Sequence, residues 1–161
     1  MEQLRLYYIT DKYVRYLHSR DRRVQYNKDK SRPYVGVVLY VGEYRYFVPM
    51  ESPKQNHANI KPGVHIMRID GGSMGILGFN NMIPVHNAAV LPLDLESIDN
   101  PKYVALLQRQ ISFINRNKAD VLNHAHKTYY KAIKDKSGFL GSICCDFKKL
   151  EWACSKYDPN R

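Results

Sequence analysis

The apolar pattern of the chain changes period near residue 100. Before it, short β-rich runs alternate with turn residues; after it, apolar side chains recur at helical spacing. LRLYYI at 4–9 predicts a short strand. Thr10 or Asp11 can cap a helix over 12–18, with Val14 and Leu17 facing inward. Residues 19–33 are polar and charged, a loop long enough to suggest a functional segment. YVGVVLYV at 34–41 and YRYFVPM at 44–50 flank Gly42-Glu43 and predict a hairpin whose tyrosines, Tyr34, Tyr40, Tyr44 and Tyr46, pack on one face. A polar loop to Lys61 leads to strands over 64–69 and 74–79, joined through Gly71-Gly72-Ser73. A further strand candidate covers 82–90, and Pro84 makes it an edge. From 101 to 117, Tyr103, Leu106, Leu107, Gln110, Ile111 and Ile114 share a helical face, with Pro101 suited to the first turn after Asp99 or Asn100. Val121, Leu122, Ala125, Tyr129, Ala132 and Ile133 continue the period over 118–136, and Gly138 and Gly141 end it. Asp146 caps a last helix through Tyr157. Strands first and helices after predict one α+β domain over 1–161, with a largely antiparallel sheet and helices mostly in the C-terminal half.

Composition narrows the setting. With 161 residues, 44% of them hydrophobic, the chain can bury a core and is not disordered as a whole. No apolar run reaches the ~18 residues of a membrane span, and the N-terminus lacks an apolar signal core; both predict a cytoplasmic protein with no membrane partner. Cys144, Cys145 and Cys154 are odd in number, two of them adjacent, and form no CxxC pair. That pattern predicts buried thiols rather than a disulfide framework or a zinc site.

The net charge of +10 points to a polyanion, nucleic acid first. Its partition adds more. Residues 1–35 carry nine Lys/Arg against four Asp/Glu, residues 36–100 four against six, and residues 101–161 twelve against five. A near-neutral apolar middle between basic flanks fits a sheet decorated by basic helices and loops.

The acids of the middle are scattered, and no DxD, HExxH, GxSxG or phosphate-loop motif occurs, which argues against metal-dependent cleavage and predicts no cofactor. RNA can be cut without metal, because its 2′-OH attacks the adjacent phosphate. The protein must then align the attack, move protons and stabilise phosphoryl charge. Glu51-Ser52-Pro53-Lys54-Gln55-Asn56-His57 follows directly on YRYFVPM, so a sheet presents an acid, a hydroxyl, an ammonium and an imidazole at a strand end. The same residues also make an ordinary polar turn with Pro53 at its apex.

YYITDKYVRYL, YVGVVLYVGEYRYFVPM, ESPKQNH, GILGFNNMIPV and the helix PKYVALLQRQISFINRN resemble the type III toxin–antitoxin toxins of the ToxN/AbiQ family, over residues 4 to about 122. The resemblance implies an endoribonuclease with a compact, twisted antiparallel sheet similar to the MazF/Kid group, an SH3-like barrel with flanking helices. It implies a small repeated RNA antitoxin, folded as a pseudoknot, that the toxin processes and that inhibits it. It implies cellular or phage RNA as substrate, an RNA-bridged hetero-oligomer, and phage defence by abortive infection. The family's serine and lysine match Ser52 and Lys54, and a histidine three residues beyond the lysine matches His57. The family's lysine before the first long strand falls at Arg32, which can clamp phosphate but cannot give up a proton. Where the family often has threonine before the serine, this chain has Glu51. The resemblance thus gives Lys54 and Arg32 to phosphorane charge, Ser52 to a phosphoryl oxygen or the 2′-OH, and His57 or Glu51 to proton transfer.

Tyr26 in the basic loop either stacks on a base or is an ordinary surface tyrosine. Candidate phosphate contacts are Arg20, Arg22, Arg23, Lys28 and Lys30 in the loop, Lys118, Lys127, Lys131 and Lys134 along the helices, and Lys148 and Lys149 near the end. Such a grip predicts a steep fall of RNA affinity with salt. Beside the endoribonuclease stands a non-catalytic RNA-binding protein with the same basic surface. A DNA-binding regulator lacks a helix-turn-helix signal.

Overall fold

Two β-favouring runs reversed at Gly42-Glu43 form the central hairpin, β2 (Tyr34–Val41) and β3 (Tyr44–Glu51). The computed structural model describes residues 2–27 and 32–161. Among these, the hairpin is extended by β1 (Arg5–Ile9) and β7 (Val90–Pro92) on one side and by β5 (Ile76–Gly78) and β4 (Ile66–Arg68) on the other. The strand order is β4-β5-β3-β2-β1-β7, with β6 (Ile83–Pro84) also on β3, and every pairing is antiparallel. β3 is the hub: Tyr46–Phe47 pair with β6 while Met50–Glu51 pair with β5. Its residues 46–50 are all buried, which explains the continuous apolar run in place of alternation.

Five helices are present among the described residues: α1 (Asp11–His18), α2 (Pro101–Arg116), α3 (Lys118–Lys134), α4 (Phe139–Ile143) and α5 (Phe147–Lys156). Three start on side-chain caps. Thr10 Oγ1 accepts from the Tyr13 amide, Asn100 Oδ1 from the Tyr103 amide and Asp146 Oδ1 from the Lys149 amide. Asn115 of α2 ties down the start of β1 from both sides, accepting from Leu4 N (2.8 Å) and donating to Leu4 O (3.0 Å). Between α3, α5 and β3 lies a buried polar knot: Glu151 Oε2 accepts from Tyr46 Oη and Tyr129 Oη, both at 2.7 Å. Burial, then the neighbouring Glu151 carboxylate, push both hydroxyls up, so they remain donors.

The structure differs from the sequence reading in several places. The 82–90 segment is not one strand: Ile83–Pro84 pair with β3 and Val90 opens β7, with a 3-10 turn at Asn87–Ala89 between them, and β6 has a partner on one side only although residues 82–85 are buried. Pro84 costs nothing there, because its carbonyl is what is used, accepting from Tyr13 Oη (2.6 Å). The hairpin tyrosines do not share one face. Tyr34 and Tyr40 pair with Pro49 and Arg45, whereas Tyr44 and Tyr46 pair with Val41 and Leu39. Tyr40 is 62% exposed and Tyr46 fully buried. The three thiols are free and buried; burial pushes Cys144 up to about 12 and raises Cys145 and Cys154 as well. No helix among the described residues is long and apolar enough to cross a membrane.

Candidate active site

Glu51 closes β3, and its neighbours on both sides fix where it stands. It pairs with Ile76 of β5, which pairs with Arg68 of β4. On the other side the Met50 amide donates to the Pro33 carbonyl (3.0 Å), which carries the Tyr34↔Pro49 pairing up to Pro33, the residue after Arg32. Directly opposed residues of antiparallel strands project to the same side. Glu51, Ile76 and Arg68 therefore form one row across the sheet. Arg32 is 8% exposed and donates from Nε to Tyr26 O (3.3 Å), which moors the strand to the preceding loop.

Pro53 has no amide to give a ladder, so the strand stops and residues Gln55–Asn59 wind into a single 3-10 turn. The turn folds His57 back under the chain. The Lys54 amide donates to His57 Nδ1 (3.2 Å), and the His57 amide donates to Lys54 O (3.1 Å). With Nδ1 accepting, the neutral ring carries its proton on Nε2, which stands 3.5 Å from Glu51 Oε2. The result is a layered site. Ser52 and Lys54 are exposed, Glu51 is half-buried, and His57, at 1% exposure, lies behind them joined to both Glu51 and the Lys54 backbone. A cleft of about 170 Å³ opens beside Glu51, walled by Pro49, Ile66 and Ile76 and rimmed by the amides of Gln25, Asn80 and Asn81.

Residues outside the 51–57 segment hold it in place, and the sequence reading missed them. Gly72 and Gly75 adopt φ of +96° and +101° and press a loop onto the site. A Cβ on Gly75 would collide with the Glu51 carbonyl, and one on Gly72 would lie 2.7 Å from the His57 carbonyl carbon and oxygen. Gln110 of α2 clamps the same loop by donating to Met74 O (2.8 Å), and Arg68 donates to Ala58 O (3.1 Å). The visible signal was the Gly-Gly pair, but it gave only a turn, not what the turn packs against.

The candidate RNA contacts divide. Tyr26 is 54% exposed, and stacking of its ring on His18 at 3.9 Å holds it in place. Arg20 and Arg22 are exposed. Arg23 is committed inward: it pairs with buried Asp21 (Nε–Oδ1 2.9 Å) and reaches Gly141 O and Ser142 O. Burial pushes the Asp21 carboxyl up, but hydrogen bonds from Arg23 and from the Asp146 amide outweigh it and hold it below the usual range. Lys28 and Lys30 lie outside the described residues. Lys127, Lys131 and Lys134 form an exposed stripe along α3. Lys118 contacts Glu2 O, Lys148 pairs with Glu151 (3.5 Å), and Lys149 is exposed.

Fold and site together define a basic α+β protein with a hydroxyl, an ammonium and a carboxylate gathered at the end of its central strand. The family model "Toxin ToxN, type III toxin-antitoxin system" matches residues 5–155. Over 158 residues the chain is 35% identical to an endoribonuclease ToxN of Bacillus thuringiensis subsp. kurstaki, covering 92% of this chain and 81% of that one. It is 30% identical to the endoribonuclease AbiQ of Lactococcus lactis subsp. lactis, covering 96% and 89%. The solved structure of AbiQ, a lactococcal anti-phage endoribonuclease of a type III toxin–antitoxin system, superposes with a TM-score of 0.84 at 30% identity, covering 96% of this chain and 97% of that one. A type III toxin selectively inhibited by a non-coding RNA pseudoknot superposes at 0.82 and 30% identity, covering 97% and 98%. The chain belongs to the ToxN family of type III toxin–antitoxin toxins.

Proposed function

We propose that this protein is the toxin of a type III toxin–antitoxin system, a metal-independent endoribonuclease acting in the bacterial cytoplasm. It cuts single-stranded RNA by attack of the 2′-OH on the adjacent phosphate, leaving a 2′,3′-cyclic phosphate and a 5′-OH. The observation that carries this reading is the strand-end arrangement itself: exposed Ser52 and Lys54 beside half-buried Glu51, with buried Arg32 just before the neighbouring strand, in a chain 35% identical to a named endoribonuclease. Among the described residues no group of three or more His, Cys, Asp or Glu is placed to hold a metal ion.

In this reading Lys54 and Arg32 stabilise charge on the phosphoryl oxygens, and Ser52 donates to one of them or orients the 2′-OH. Glu51 moves a proton, with Arg32 offsetting the repulsion between its carboxylate and the phosphate. His57 acts from behind: its Nε2–H faces Glu51 and its Nδ1 holds the Lys54 backbone. Tyr26, exposed and steadied by His18, stacks on a base. The sheet is read as a MazF/Kid-like, SH3-like barrel. A small pseudoknot RNA, processed from repeats, inhibits the toxin and bridges protomers into an RNA–protein assembly; release of the toxin on infection aborts phage growth. The resemblance to a pseudoknot-inhibited toxin and to an anti-phage endoribonuclease supports these partners.

Purified protein incubated with RNA in EDTA tests the reading. Discrete cuts, lost in Ser52→Ala while RNA binding persists, are expected. RNA left intact would overturn it in favour of a non-catalytic RNA-binding protein.

A further inference from the structure

The chain has a single tryptophan, and it is not in the core. Trp152 on α5 is 58% exposed. Lys149 and Lys156 lie one turn before and one turn after it on the same exposed helix face, about 10 Å apart along the axis. The indole borders a cleft of about 410 Å³ between α1 and α5. Across that cleft the Arg20 guanidinium lies over the Tyr16 ring, 4.3 Å from its centroid, and Tyr16 is itself anchored by its hydroxyl to Ala153 O (2.7 Å). Lys12 reaches Pro159 O at the rim. The one acid there, Asp158, is taken by Arg161 at 3.8 Å. Among the described residues, Lys12, Arg20, Lys149 and Lys156 have no carboxylate within ion-pair distance.

A large aromatic left in water among uncompensated cations fits neither a core nor an apolar protein interface. It has the two parts of a single-strand platform, a π face for a base and cations for the phosphates on either side of it. We propose that this α1–α5 face is a second RNA-docking site, on which an unpaired base stacks on Trp152 while the flanking phosphates lie against Lys149, Lys156 and Arg20. The inference rests on the RNA reading above but uses none of the 51–57 segment. It separates gripping the RNA from cutting it, so RNA can remain held while the cut strand leaves.

The single indole makes the test direct. The probe is a mixed-sequence 20-nucleotide RNA with 2′-O-methyl groups, which cannot be cut because the nucleophile is blocked. Added to the full chain, it is expected to change the Trp152 fluorescence with the same midpoint as the anisotropy of a labelled copy. The same strand annealed to its complement, with no unpaired base to offer, is expected to leave the indole signal unchanged. Trp152→Ala should weaken single-strand binding about tenfold, and Trp152→Phe, which keeps a stacking face, by no more than about threefold. Lys149→Ala with Lys156→Ala should lower the log–log salt slope by about 1.4. An unchanged melting temperature shows that the exposed substitutions leave the fold intact. Probe binding without an indole change, or Trp152→Ala binding as tightly as the parent, would overturn this site and leave the proposed activity standing. Failure to bind any RNA, together with failure to cut unmodified RNA, would overturn both.

Discussion

Replacing His57 separates two ways in which an imidazole can serve this site. His57→Ala removes the acceptor of the Lys54 amide and empties a space that is 1% exposed. An amide left without its partner costs about 1–3 kcal/mol, and the missing ring adds about 1–2 kcal/mol of lost packing. Because Lys54 is exposed, water re-satisfies part of the amide; the net loss is then about 2–3 kcal/mol, a fall in melting temperature of about 5–10 °C. Cleavage falls too, as Glu51 and the Lys54 backbone lose their support. His57→Asn is the informative variant. Its side-chain oxygen can take the place of Nδ1 and accept from Lys54 N, yet it does not titrate. If His57 positions its neighbours, His57→Asn keeps cleavage within about tenfold of the parent and recovers most of the stability. If the imidazole itself transfers the proton, both variants lose the ~10²–10⁴-fold expected of a general acid or base. Single-turnover cleavage of one RNA across pH, beside thermal melting, reads both quantities. Equal and large losses of rate in the two variants, with His57→Asn folded and stable, would refute the positioning role.

Gly75→Ala should be among the most damaging substitutions of a small residue, because a Cβ meets the Glu51 carbonyl at a φ of +101°; a loss of about 2–4 kcal/mol and of cleavage is expected, by denaturant melts and RNA assay. Asp21 has its carboxyl held below the usual value, so the stability it contributes is complete above about pH 4 and disappears as pH falls below that. Melting of the parent should therefore weaken more steeply on acidification than melting of Asp21→Asn. Glu151→Ala leaves the buried hydroxyls of Tyr46 and Tyr129 without their shared acceptor and should cost about 2–4 kcal/mol, whereas Glu151→Gln, which keeps an oxygen there, should cost less.

Local signals were readable in the sequence, and signals that depend on distant packing were not. Thr10, Asn100 and Asp146 cap helices because a side-chain oxygen and an amide three residues on are all a cap requires. The hairpin was legible for the same reason, in its turn and two β-rich arms. Its face assignment failed on parity: with Val41 opposite Tyr44, even residues of β2 face odd residues of β3, so Tyr34 and Tyr40 share a face with Pro49 and Arg45 and not with Tyr44 and Tyr46. The strand-end cluster of Glu51, Ser52 and Lys54 stood out by residue type and position. The direction of His57 depends on how the chain folds back after Pro53, and the need for Gly72 and Gly75 depends on a loop some twenty residues away in sequence. Arg23 looked like its neighbours Arg20 and Arg22 until Asp21, two residues earlier, took it. Charge counts reveal a basic surface; only packing shows which cations belong to it.

The most direct test of the account is the chemistry of the ends. RNA of defined sequence, cut by the purified protein in EDTA, should yield 5′-OH fragments that a kinase labels without prior phosphatase treatment, and 3′ ends carrying a 2′,3′-cyclic phosphate by mass. A single 2′-deoxy nucleotide at the cut position should abolish cleavage there. Fragments with 5′-phosphate and 3′-OH ends, or cutting that continues past the 2′-deoxy substitution, would contradict attack by the RNA's own hydroxyl and with it the roles given to Ser52, Lys54, Arg32 and Glu51.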